Sequence, residues 1–338
     1  MTRMRSTLFA LAILLAASPL SPAQTHTETV CAAATAQPLQ PPDLPGPLSP
    51  TQLRTCDEQA LYYGFSTPPN YPAALQCGWY QQAHPQNTVG NMFYGEGVLT
   101  MLYANGLAIP KDTQLAIRLA CQNSWAAPAE TQGRVAHLEA LATSHAQTAK
   151  FDLCDDITSG LSMGSCEMIR SSFADPVRTK KLQAISSKFP AAIRPAFLTL
   201  QAAESAFEDA RTGNEIDLSG TARAMFAIQE QTKLRDQFLI NLQRFGTRDI
   251  PPASSADLAT LEARLNTTYQ QVLALPPSVW QDGTIKPQGI RTTQQTWQAL
   301  TQAWLNFARL AYPDLSPARI HAQLIRLRLH QLRSLKPA

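Results

Sequence analysis

The sequence predicts an all-α protein, and three observations carry that prediction. Apolar residues recur at steps of three, four and seven over most of the 338-residue chain. Glycine and Asn/Asp/Ser residues stand where helices need left-handed ends and N-caps. The alternating apolar and polar runs of half-buried strands are missing. With 44% hydrophobic and 16% charged residues, the chain can bury a real core and is long enough for two or three domains. Its 15 glycines and 25 prolines exclude a collagen-like or generally disordered chain. A net charge of +3, with no basic run interleaved with aromatics, gives no reason to expect nucleic acid as a partner.

Residues 1–23 read as a secretory signal peptide. Arg3 and Arg5 precede an apolar run from Leu8 to Ala17, and Ser21-Pro22-Ala23 supplies the small residues of a cleavage site after Ala23. The run is shorter than the 20 or so residues that span a bilayer, and no later stretch reaches that length, so the chain is not expected to be an integral membrane protein. Residues 24–50, with Pro38, Pro41, Pro42, Pro45, Pro47 and Pro50, predict an extended linker. Export makes disulfides the expected state of the six cysteines, Cys31, Cys56, Cys77, Cys121, Cys154 and Cys166. Fifteen pairings are open in principle. Cys56 and Cys77 flank the turn of one helical hairpin, Cys154 and Cys166 bracket a short glycine-bearing loop, and Cys31 with Cys121 follows by elimination.

Residues 51–150 predict short paired helices. Leu61-Tyr62-Tyr63-Gly64 closes one helix, and Tyr71, Ala74, Leu75 and Trp79 mark the next. About forty residues later the pattern returns: Met101-Leu102-Tyr103-Ala104-Asn105-Gly106, a turn at Pro110-Lys111-Asp112, then Leu115-Ala116-Ile117. These pieces resemble the Sel1-like, tetratricopeptide-related repeats, which implies stacked helical hairpins and a groove for a protein partner.

Residues 151–175 are expected to form a disulfide-bearing connector. Beyond it, helices follow from Phe197, Leu200 and Phe207; from Phe238, Leu242 and Phe245; from Leu258, Leu261, Leu265 and Val272; and from Trp297, Leu300, Trp304 and Phe307. Ser254 and Ser316 suit N-caps, and Pro317 suits a first helical position. Asp217-Leu218-Ser219 echoes Asp314-Leu315-Ser316. This predicts either a duplicated helical domain, 176–250 and 251–338, or two independent helix caps. Leu265-Asn266 with Tyr269, then Thr293-Gln294-Gln295-Thr296-Trp297, and a closing Gln331-Leu332 are similar to the LprI-like lysozyme inhibitor family. Arg211 stands in the place of a family arginine in the first copy. The resemblance implies a secreted helical domain that binds lysozyme. The chain departs from it in having no cysteine beyond Cys166, and Thr301 where an arginine is usual.

No catalytic or metal constellation stands out, and no cofactor is expected. Gly160-Leu161-Ser162-Met163-Gly164 is formally a G-x-S-x-G, the turn of serine hydrolases, but no strand precedes it. Asp152, Asp155 and Asp156 lack the spacing of a calcium loop. Trp297 and Trp304 share a helix face, as bundle core or as a sugar-stacking platform. From Asp257 onward nine Lys/Arg face four Asp/Glu, against 17 and 21 over 24–254. The candidate binding residues are therefore Arg211, Trp297, Arg319 and Arg326. The expected function is that of a non-enzymatic binding protein, periplasmic or secreted in a Gram-negative-type bacterium. Its partner would be lysozyme or an envelope protein, and an envelope scaffold or a hydrolase using Ser162 are the alternatives.

Overall fold

The computed structural model describes residues 21–39, 48–49, 51, 54, 56–65, 67–84, 91–143 and 150–336. Among them it contains twelve α-helices and no strand. The signal-peptide run at 1–20 lies outside the described residues. Two apolar clusters organise the helices, one formed by residues 34–169 and one by residues 197–335.

The first unit begins with α1 (Pro22–Ala36), opened by Ser21 and Gln24 in a reciprocal capping box. Here the structure corrects the expected linker. Every proline of that segment lies beyond residue 37, so nothing interrupts the helix over 24–36, and Cys31 anchors it to Cys121. Residues 40–47 lie outside the described residues. Then come α2 (Glu58–Tyr63), α3 (Tyr71–Ala83), α4 (Glu96–Asn105), α5 (Thr113–Gln122) and α6 (Pro128–Thr143).

Two hairpins, α2–α3 and α4–α5, are closed by the same bonds. Gly64 and Gly106 take φ of 68° and 65°, and their N–H groups donate to Ala60 and Leu102. The N–H of Asn70 donates to Leu61 O (2.7 Å), and that of Asp112 to Tyr103 O (3.0 Å). The side chains of Asn70 and Asp112 then cap Ala73 N and Leu115 N. Disulfides join Cys56 to Cys77 across the first hairpin and Cys31 to Cys121 between α1 and α5.

A 3-10 turn, Leu153–Asp156, leads into α7 (Gly160–Ser186), tied back by Cys154–Cys166. This helix of 27 residues is about 40 Å long. Cys166 and Ile169 at one end belong to the first core, and Leu182 and Ile185 at the other pack on the second. The boundary expected at residue 175 thus falls inside a continuous helix. The glycine-bearing stretch between Cys154 and Cys166, expected as a loop, forms the first turns of α7.

The second unit is α8 (Arg194–Glu215), α9 (Arg223–Thr247), α10 (Ser255–Leu273), α11 (Pro287–Ala311) and α12 (Pro317–Arg333). α8 lies along α11, α9 along α7, and α10 along α12. Trp304, 1% exposed, is ringed by Phe238, Phe245 and Phe307 at 5.1–6.2 Å. The two Asp-Leu-Ser echoes differ locally. Ser316 directly precedes α12, whereas Gly220, Thr221 and Ala222 separate Ser219 from α9.

Candidate functional site

α10 and α11 both pack on α12 but leave a groove of about 390 Å³ between themselves. The cause is the polarity pattern of α10. Leu261, Leu265, Thr268 and Val272 are buried, while Glu262, Asn266 and Tyr269 stand at the groove on a neighbouring stripe. α11 supplies Gln294, Trp297, Gln298, Thr301, Gln302 and Leu305, a run of steps of three and four along one face. His321 and Ile325 of α12 form the floor.

The lining combines two aromatic rings, four amides and one carboxylate, and contains no lysine or arginine. His321 Nδ1 lies 3.5 Å from Glu262 Oε1. Burial depresses the imidazole below its ordinary value, and Glu262 opposes this without reversing it. His321 is therefore neutral at physiological pH and can both donate and accept. Thr301 Oγ1 is buried without a hydrogen-bond partner. Such an arrangement binds a polar or cationic group over an aromatic wall; it offers no nucleophile and base in contact.

Behind the groove runs a buried charge network. Arg328, 0% exposed, donates from Nε to Gln294 Oε1 (2.9 Å) and makes a two-pronged pair with Glu215 (2.6 and 2.7 Å). Its guanidinium also lies 5.9 Å from the Phe207 ring centroid. Arg211 bonds Glu215 (2.5 Å) and Glu230 (2.6 Å). Two cations and two carboxylates thus balance within the core. Gln294 is the one residue shared by this network and the groove lining.

The four residues expected to bind are not brought together. Arg211, a candidate binding residue, is 2% exposed and engaged within the network. Trp297, 7% exposed, does line the groove. Arg319 donates to the carbonyl of Ile250 and, at 3.4 Å, to those of Arg248 and Pro251, so it fastens the α9–α10 connection. Arg326 acts on Asp257 at the start of α10, outside the groove lining. The sequence alone does not bring Glu262, Tyr269 and His321 together with Trp297, because they come from three separate helices. Nor does it single out Glu215, for which the only local signal is its step of four from Arg211.

The remaining motifs are engaged in contacts within the fold. Ser162, 1% exposed, donates to Glu130 Oε2 (2.8 Å) from the first turns of α7. Gly160 and Gly164 let α9 approach; a Cβ on Gly164 would lie 2.8 Å from that of Ala224. Asp152 accepts from Tyr63 Oη (2.9 Å) and caps the 3-10 turn, and Asp156 pairs with His137 (2.9 Å). No protein-family model, curated protein or solved structure matches the chain.

Proposed function

We propose that the protein is an exported, non-enzymatic binding protein that holds a protein partner in the groove between α10 and α11. Residues 51–150 are read as Sel1-like repeats, and residues 251–338 as the LprI-like unit related to lysozyme inhibitors. The observation that carries the proposal is the groove lining: an aromatic wall, four amides and the single carboxylate Glu262, with no cation. That lining suits a basic or polar side chain from a partner. The three disulfides support an oxidising, extracytoplasmic location. Among the described helices none is long and apolar enough to cross a membrane.

Lysozymes act through a pair of carboxylates, and many are strongly basic. The excess of arginines beyond residue 257 argues against such a partner less than a simple count suggests, since Arg328 is buried and paired. The scaffold alternative needs an exposed repeat groove. Tyr103, in the helix of the second repeat-like pattern, is 1% exposed and accepts from Trp79 Nε1 (3.2 Å), so it belongs to the core. The hydrolase alternative gains no support from a buried Ser162.

The test is capture of a partner from envelope extract, identified by mass spectrometry, together with lysozyme assays at micromolar excess. Stoichiometric capture that is lost when Gln298 and Gln302 are changed to Arg supports the groove. Capture that survives the double change removes it. Lysozyme running at full rate removes the inhibitory reading alone.

A further inference from the structure

The first hairpin holds an arrangement that packing alone does not explain. Glu58, in the first turn of α2, is 2% exposed, and its Oε2 lies 3.7 Å from Cys77 Sγ. Its carboxyl is buried beside the N–H groups of Glu58 itself and of Gly95. The sulfur is spent in the bond to Cys56 and carries no proton, so any proton between the two atoms belongs to the carboxyl. Among the described residues, Cys56, Glu58 and Cys77 are the only group of three His, Cys, Asp or Glu residues whose ligand atoms all lie within 4.8 Å of one another. The two sulfurs differ in access: Cys77 is 2% exposed, while Cys56 is half-buried. An incoming thiolate therefore reaches Cys56 first.

We infer that Cys56–Cys77 is an exchange-active disulfide, and that Glu58 is the proton donor to Cys77 when an external dithiol opens it. One thiolate of the dithiol attacks Cys56 Sγ and forms a mixed disulfide. The Cys56–Cys77 bond breaks, and its electron pair departs on Cys77 Sγ. Glu58 gives that sulfur a proton and becomes a carboxylate, later reprotonated from water. The second thiol, losing its proton to solvent, attacks the mixed disulfide and releases Cys56 as a thiolate that takes a proton from solvent. The dithiol is oxidised to a disulfide, and the cystine is reduced to two thiols. Protonating a leaving thiolate favours its departure, and thiol–disulfide exchange depends on the leaving group in this way. Gln81 Nε2, 3.9 Å from Cys56 Sγ, is placed to face the negative charge that later appears there.

The carboxyl is suited to the task. Burial, the dominant cause, pushes it up to about 7; its own N–H and that of Gly95 hold it down, and Asp57 raises it further. Tyr94, just ahead of α4, is the other titratable group coupled to it, and no cation acts on it. It therefore holds a proton below about pH 7 and loses it above.

The experiment uses the full chain with dithiothreitol as the dithiol, across pH values on both sides of 7. Thiols are trapped by alkylation and counted by mass spectrometry, cysteine by cysteine. The Cys31–Cys121 bond, half-buried at both ends, serves as internal reference, because the ratio of the two rates cancels the ionisation of the reagent. The expected result is a ratio that falls roughly tenfold as pH rises through the Glu58 transition. Glu58→Gln should flatten that profile and lower the ratio on the acid side. A ratio independent of pH in the unaltered protein overturns the inference, whatever the variant does. An unchanged profile in Glu58→Gln overturns it as well.

Discussion

The two halves of the molecule solve the same problem by different means. The first unit is built from helices of 6 to 16 residues and contains the disulfides that tie α1 to α5, the residues just before α2 to α3, and the 3-10 turn to α7. The second uses helices of 17 to 25 residues and has no cysteine. Helices of two or three turns are marginal on their own, and cross-links compensate by restricting the unfolded chain. Long amphipathic helices bury enough apolar surface to need no cross-link, and can also enclose a charge network. One unit is thus dependent on redox state and the other independent of it.

Removing the longest cross-link should have the largest effect. Cys31→Ser with Cys121→Ser opens a separation of 90 residues and should destabilise the first unit by about 4.5 kcal/mol. Urea titration followed at Trp79 and Trp125 should show the loss, with the second unit's transition unmoved. Glu215→Ala should act in the opposite half. It leaves Arg211 and Arg328 buried without their shared carboxylate, at a cost of about 4 kcal/mol by urea denaturation. Cys154→Ser with Cys166→Ser, closing a separation of 12, should cost about 3 kcal/mol and blur the division, because α7 spans both cores.

A further effect is one of pH. Burial, with the charge of Glu208 added, pushes Glu204 up to about 8 from 4.5. Its folded form holds a proton that the unfolded form has lost, so stability declines as pH rises from 4.5 towards 8 and is unaffected below that window. Glu204→Gln should leave thermal stability unchanged at the acid end and raise it above pH 8. Only the second unit's transition should lose its pH slope.

Much of this division was legible in the residues. Gly64 and Gly106 announced the hairpin ends because a left-handed terminus favours glycine. Cys56 and Cys77 flank a turn, so a hairpin brings them together. Trp304, Phe307 and Phe245 followed from helical spacing. What escaped depends on contacts across long separations. Arg328 meets Glu215 across 113 residues, and nothing local distinguishes it from a solvated arginine such as Arg333. Helix α1 was hidden by neighbouring prolines that begin only at residue 38. The groove was hidden because its three walls come from separate helices, each of which reads alone as an ordinary amphipathic face.

Amide hydrogen exchange of the full chain, with and without a dithiol reductant, tests most directly whether the two units are braced independently. The expected result is loss of protection in α1 to α6 on reduction, with α8 to α12 as protected as before. Simultaneous loss of protection in α8 to α12, or undiminished protection of the first unit with all three disulfides open, would contradict it.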